Sequence, residues 1–147
     1  MEKFVKLKEV TKSDCHFLYA LLHERDTIVN ISHKEMPSYK KHVRFVMSKP
    51  YSKWYIIYYE RQKSGSIYLT RQNEIGIFIK KKMQGLGIGN KALQLMIEKN
   101  PRTRYLANTN PKNSKSIKFF TKKGFKLIQH TYALSGEELD SFKNEKN

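Results

Sequence analysis

The sequence predicts a single α/β (α+β) domain over residues 1–147, with a central mixed, mostly antiparallel sheet flanked by helices. Three observations predict it. The chain has 147 residues, of which 39% are hydrophobic, enough for one buried core and too few for two. Its middle, from Lys53 to Lys80, reads as three strand-like runs joined by short turns, which is an antiparallel meander. Beyond Lys80 the pattern changes to β-α-β-α-β.

Taken in order, Phe4–Val10 alternates well enough for a first strand. Thr11 or Ser13 can cap the next segment, where Phe17, Leu18, Leu21 and Leu22 recur at helical spacing. The stretch from Arg25 to Met36 has no clear period and reads as a loop or broken helix. Pro37 and Ser38 open a second helix with Tyr39, His42, Val43 and Val46 on one face, and Pro50 follows its end. Lys53–Glu60 is aromatic and β-branched, a good strand. Residues 61–65 are turn-like, Ser66–Thr70 is a second strand, residues 71–73 a second turn, and Glu74–Lys80 a third strand.

A glycine-rich segment, Gln84-Gly85-Leu86-Gly87-Ile88-Gly89, then leads into a helix with Ala92, Leu93, Met96 and Ile97 inward. Arg104–Thr109 is the next strand, and Asn110-Pro111-Lys112 a turn. Asn113 or Ser114 caps a short helix that runs through Lys123 and ends at Gly124. Phe125–Ala133 reads as a last strand. The polar tail, residues 135–147, is a short helix or a frayed end.

Composition excludes several functions. Cys15 is the single cysteine, so neither a disulfide framework nor a CxxC zinc site is possible, and the five histidines show no metal-ligand spacing. No segment has the length and apolarity of a membrane span or a leader. The expectation is a cytoplasmic protein with no metal and no membrane partner. A formal charge of +16 attracts polyanions of any kind. The lysines are spread along the chain rather than gathered on one helix with interleaved aromatics, which argues against a dedicated nucleic-acid binder.

The informative feature is the strand, glycine-rich turn and helix at residues 74–97. Glycines let the backbone take φ > 0 and approach a ligand closely. The first amides of the helix lack internal partners and sit at the positive end of its dipole, an anion site suited to a pyrophosphate. Lys80, Lys81, Lys82 and Lys91 would reinforce it. A P-loop does not fit, because Gly85 and Gly89 are one residue too close and Ala92 stands where a hydroxyl should hold magnesium. A dinucleotide-binding turn does not fit either, since the glycine spacing is wrong and the motif follows a meander.

Gln84 to Gly89 matches Gln/Arg-x-x-Gly-x-Gly/Ala, and in this it resembles the GCN5-related N-acetyltransferases (GNAT family). A second stretch, Asn113 to Phe125, looks like the same family's later motif, an Asn-led helix closing in Gly-Phe. The resemblance is strongest from Glu74 to Phe125. It implies the GNAT fold, with a splayed strand pair and about four flanking helices, and acetyl-coenzyme A (acetyl-CoA) as donor. By the same resemblance, Ile77, Phe78 and Ile79 would present main-chain groups to the pantetheine arm. Gln84, Gly85, Gly87, Ile88, Gly89 and Asn90 would hold the pyrophosphate, Asn113 and Phe120 would lie along the arm, and Lys122 would reach a phosphate.

The chemistry implied is direct attack of a neutral amine on the thioester in a ternary complex. Two departures from the commonest pattern affect it. Many relatives have Tyr where this chain has Phe120, which carries no hydroxyl. Those acetylating protein N-termini place a Glu base where Asn108 stands. Glu74 is the best remaining carboxylate for a water-mediated base, Asn108 can hold a water or the acceptor, and Tyr132 is a substitute acid.

The acceptor pocket in this family is built by the front half, so Arg25–Met36, Tyr51, Trp54, Tyr55 and Tyr58 are candidates to line it. Its few acids and the basic chain favour an anionic acceptor, such as an amino sugar carried on a nucleotide. Acetylation of a protein N-terminus or lysine is the alternative enzyme, and a non-catalytic basic module binding CoA or nucleic acid the alternative from another class. Many relatives pair through exposed strands, so a homodimer is compatible with the reading.

Overall fold

A computed structural model describes residues 4–25 and 36–145. Five strands form one sheet in the order β1-β2-β3-β4-β5: β1 (Val5–Glu9), β2 (Lys53–Tyr59), β3 (Gln62–Leu69), β4 (Glu74–Ile79) and β5 (Leu106–Ala107). The first three pairings are antiparallel and β4–β5 is parallel. Among the described residues there are five α-helices: α1 (Cys15–His23), α2 (Tyr39–Met47), α3 (Ile88–Lys99), α4 (Ser114–Lys122) and α5 (Gly136–Lys143).

Strand alternation sends side chains to two cores on opposite faces of this sheet. Tyr55, Ile57, Ile67, Leu69 and Ile75 pack with Ile88, Ala92, Leu93 and Met96 of α3. On the other face Ile56 packs with Cys15 and Leu18 of α1 and Val46 of α2, with Trp54 and Tyr58 partly buried beside them. Burying each large aliphatic side chain contributes roughly 1.5–3 kcal/mol, so α3 is held chiefly by its apolar stripe. Asn100 at its end donates to the Tyr55 hydroxyl at 3.0 Å.

Local chemistry sets the helix boundaries. The Asp14 carboxylate accepts from the Thr11 amide at 2.8 Å and pairs with Lys63 Nζ at 2.8 Å, closing a 3-10 turn (Lys12–Asp14) that leads into α1. Ser38 caps α2, its hydroxyl accepting from the Lys41 amide at 3.2 Å. Asn113 caps α4, accepting from the Ser116 amide at 3.2 Å, and Gly124 ends that helix at φ +96°.

Three expectations need correction. Residues 62–65 belong to β3 rather than to a turn, because the chain reverses on two residues, Glu60 (φ 48°) and Arg61 (φ 72°). The strand expected over Arg104–Thr109 is only Leu106–Ala107. No strand forms over Phe125–Ala133: these residues are irregular, with Leu127 and Ile128 exposed. A strand exists only by pairing, and β5 offers two residues of ladder. The tail does form a helix, α5, with no buried residue.

Candidate active site

β4 and β5 are paired only at Glu74–Leu106 and Ile75–Ala107. Beyond Ile75 the two strands part, while β4 remains paired with β3 through Ile79. Gly76 to Ile79 therefore present one backbone edge to an open wedge. Ile77 and Ile79 pack toward α3 and Phe78 lies on the opposite face, where the Arg25 guanidinium stands 5.7 Å from its ring centre.

At the end of β4 a 3-10 turn, Lys81–Met83, leads to the glycines. The Gln84 side chain donates back to the Ile79 carbonyl at 3.0 Å, fixing the turn to the strand. Gly85 (φ +82°) and Gly87 (φ +79°) take left-handed conformations, and Gly87 is the N-cap of α3. The Lys91 amide bonds to the Gly87 carbonyl at 3.3 Å, so the amides of Ile88, Gly89 and Asn90 lie in the unsatisfied first turn. The Ile88 side chain is buried in the core, anchoring that end. Gly89 faces Phe119 and Ile77, both at ordinary contact distance from any added Cβ. Lys81, Lys82 and Lys91 are exposed around the turn. These groups fit a pyrophosphate, with positive dipole, left-handed glycines and lysines on one side of one helix end.

A cleft of about 820 Å³ opens from the wedge into the space between the sheet and the helices α1 and α2. Glu74, Ile77, Phe78, Asn108, Asn113 and Phe120 all line it. Glu74, at the start of β4, has both carboxylate oxygens engaged. Oε1 accepts from the Thr70 hydroxyl at 3.2 Å and Oε2 from Asn108 Nδ2 at 2.5 Å. Phe120 is 6% exposed and packs edge-on against Phe119 and Phe125. Lys122 is exposed at the end of α4. Tyr132 lies in the irregular segment after α4, is 89% exposed, and is not among the residues lining the cleft.

Of the aromatic residues expected near the acceptor, Tyr51 and Trp54 line the cleft. Tyr55 points into the α3 core, and Tyr58 packs on the α1–α2 face beneath Lys8 Nζ, 4.9 Å from its ring centre. Arg25 and Met36 line the cleft, whereas residues 26–35 between them lie outside the described residues.

Tyr68 and His42 also line the cleft, and the sequence reading gave neither a place there. Tyr68 of β3 lies across Gly76 of β4, so that a Cβ on Gly76 would overlap the Tyr68 ring and hydroxyl. Tyr51 stacks on Tyr68 with ring centres 3.9 Å apart and planes 4° from parallel. Burial pushes both phenols above their ordinary range, with Arg25 opposing the shift. His42 of α2 is 5% exposed, and burial lowers its pKa. Its Nε2 and the Trp54 Nε1 are buried without a hydrogen-bond partner. A Gly opposite a Tyr in an antiparallel register was the available signal for Tyr68, but only once the register is known.

No group of three or more His, Cys, Asp or Glu gathers among the described residues, and no described helix is long and apolar enough to cross a membrane.

The sequence matches the acetyltransferase (GNAT) family over residues 15–125. No curated protein matches it. Among solved structures, a domain from Methanocaldococcus jannaschii DSM 2661 is 24% identical, with a TM-score of 0.77 over 88% of this chain and 93% of that one. Mutant forms of the spermidine/spermine N-acetyltransferase SpeG from Vibrio cholerae are 18% identical, with a TM-score of 0.68 over 86% of this chain and 81% of that one. The protein yncA from Salmonella typhimurium, solved with its cofactor acetyl-CoA, is 15% identical, with a TM-score of 0.67 over 85% of this chain and 80% of that one. The parted strands, the glycine turn on α3 and the match over residues 15–125 have one reading: the chain belongs to the GNAT family and is an N-acetyltransferase that uses acetyl-CoA.

Proposed function

We propose that this enzyme acetylates the amine of a small anionic acceptor, with an amino sugar carried on a nucleotide the leading candidate. The observation that carries the reading is the charge of the cleft. Glu74 is the one carboxylate among the described lining residues, facing Arg25 and Lys41 as cations, with His23 and His42 beside them. A polycationic amine would be repelled by this lining and by the +16 chain, whereas phosphate or carboxylate is attracted. The unpartnered Trp54 N–H favours an acceptor rich in oxygen atoms, because a ligand oxygen would satisfy a donor now buried at a cost, and His42 Nε2 is a second buried polar atom without a partner.

In this reading the amides of Ile88, Gly89 and Asn90, with Gln84, Gly85 and Gly87, hold the donor's pyrophosphate, and Lys122 reaches a phosphate. The open edge of Ile77, Phe78 and Ile79 pairs with the pantetheine arm, along which Asn113 and Phe120 lie. When bound, acetyl-CoA supplies an electrophilic carbonyl and a thiol leaving group. Glu74 accepts the amine's proton directly or through a water, and Asn108 holds that carboxylate toward the cleft. Orientation of the amine beside the thioester provides the rest of the acceleration. The lone cysteine, Cys15, which is buried and free, supports the expectation of a cytoplasmic enzyme.

The test is calorimetric titration with acetyl-CoA in moderate salt, with ATP as a control polyanion, followed by transfer assays on a panel of amines. Faster turnover of nucleotide-linked amino sugars than of polyamines and peptide N-termini supports the reading. Preference for spermidine or for a peptide amine overturns it.

A further inference from the structure

α4 offers the cleft no phenol, because Phe120 stands there, and Tyr132 is not among the residues lining the cleft. The wedge nevertheless holds a phenol. Trp54, Tyr68 and Gly76 are successive cross-strand partners on β2, β3 and β4, and the side chains of Trp54 and Tyr68 share the face covered by α1 and α2. Tyr68 does not stand upright in that row. Its ring and hydroxyl occupy the space a Cβ on Gly76 would fill, so the phenol reaches over β4 toward the side where β5 should be. Gly76 is the first β4 residue beyond the last β4–β5 pair, Ile75–Ala107. The Tyr68 hydroxyl therefore projects over the strand where the wedge begins.

Its surroundings hold it there. Tyr51 lies flat against the Tyr68 ring, which brings the two hydroxyls within reach of each other. A phenol oxygen can accept from such a neighbour and still keep its own proton for another partner. The charged groups facing it are Arg25 from the end of α1 and Glu74 from β4. Burial keeps the phenol protonated at neutral pH.

We propose that Tyr68 is the general acid of this enzyme, giving its hydroxyl proton to the thiol sulfur as the thioester breaks. This rests on the acetyl-CoA site and not on which amine is the acceptor. The acceptor nitrogen forms the new N–C bond and its proton passes to Glu74. The C–S bond breaks with its electron pair on sulfur, and Tyr68 protonates that sulfur. The phenolate then regains a proton from Glu74, directly or relayed by a water, leaving N-acetyl amine, free thiol and unchanged enzyme. Tyr51 is a positioning residue in this scheme. Gly76 is required because any side chain there would displace the phenol.

The proposal is tested without an acceptor. The ultraviolet absorbance of the CoA thiolate, titrated against pH in the binary complex, reads directly whether a donor faces the sulfur. A hydrogen bond from Tyr68 favours the thiolate, so Tyr68→Phe is expected to move the thiol titration upward by about one pH unit. Calorimetry should find acetyl-CoA affinity changed by less than about two-fold, because the ring and its stacking on Tyr51 remain. With an acceptor that turns over, kcat should fall about ten-fold or more at unchanged KM for the amine. Superimposable thiol titrations in the two proteins, with CoA bound to both, overturn the proposal and leave the acetyl-CoA site standing. Absence of CoA binding to the unaltered protein overturns both.

Discussion

Asn108 donates to Oε2 of Glu74 at 2.5 Å, joining the two strands at the point where they are about to part. The bond fixes a carboxylate that Thr70 holds from the other side at 3.2 Å, and it leaves Glu74 the lone pairs a proton acceptor needs. Glu74→Gln preserves the shape and removes the basicity. It should lower kcat by about 100-fold, the low end of general-base effects when a water relays the proton, with acetyl-CoA affinity retained in calorimetry. Unchanged turnover at saturating amine would remove Glu74 from the mechanism.

Gly87 stands at φ +79° as the N-cap of α3. A Cβ there costs about 1 kcal/mol of strain, and a carboxylate adds charge repulsion against a pyrophosphate held at the helix end. Gly87→Asp should therefore abolish acetyl-CoA binding by calorimetry while the protein stays folded by circular dichroism. Gly87→Ala separates the two causes, since it carries the strain alone and should weaken binding about ten-fold or less. Normal affinity in a folded Gly87→Asp protein would show that the pyrophosphate lies elsewhere.

Gly76→Ala tests the packing that positions Tyr68. The new methyl would overlap the Tyr68 ring, and overpacking of this kind costs about 1–3 kcal/mol. A lower Tm is expected, together with loss of the Tyr68–Tyr51 stacking in near-ultraviolet circular dichroism. Adding Tyr68→Ala should restore part of the lost stability, because the clash is gone, and the double-mutant cycle measures how much.

What could be read from the sequence was what short-range chemistry determines. Gly85 and Gly87 announce left-handed backbone because few other residues tolerate it. Asn113 and Gly124 mark the two ends of α4 through a cap and a left-handed stop. What could not be read depends on which strands lie side by side. Phe125–Ala133 alternates like a strand, but alternation cannot show that β5 offers only Leu106–Ala107 for pairing. Gly65 resembles a turn residue, yet it lies opposite Ile79 where a Cβ would overlap the Phe78 carbonyl. Tyr51, Trp54, Tyr55 and Tyr58 looked equivalent until the pleat divided them between the cleft and the cores. Tyr68 and Gly76 acquire meaning only as register partners.

His42 makes the stability of this fold acid-sensitive, and the sign follows from its burial. The ring is 5% exposed, its Nε2 has no partner, and burial lowers its pKa below the ordinary value of 6.5. Above that value the residue is neutral in both the folded and unfolded chain, so it imposes no proton-linked cost. As pH falls below it, the unfolded chain takes up the proton first and stability drops until the folded pKa is reached. One such group can remove at most about 1.4 kcal/mol per pH unit. His42→Leu keeps an apolar side chain of similar reach and has no proton to take up. Denaturant midpoints measured between about pH 7 and pH 5 should fall for the parent protein and fall less for the variant, by roughly 1 kcal/mol at the acid end. The other histidines are common to both proteins and cancel in the comparison. Parallel profiles would show that His42 takes up its proton as readily in the folded chain as in the unfolded one, which would require the cleft to supply it with a partner.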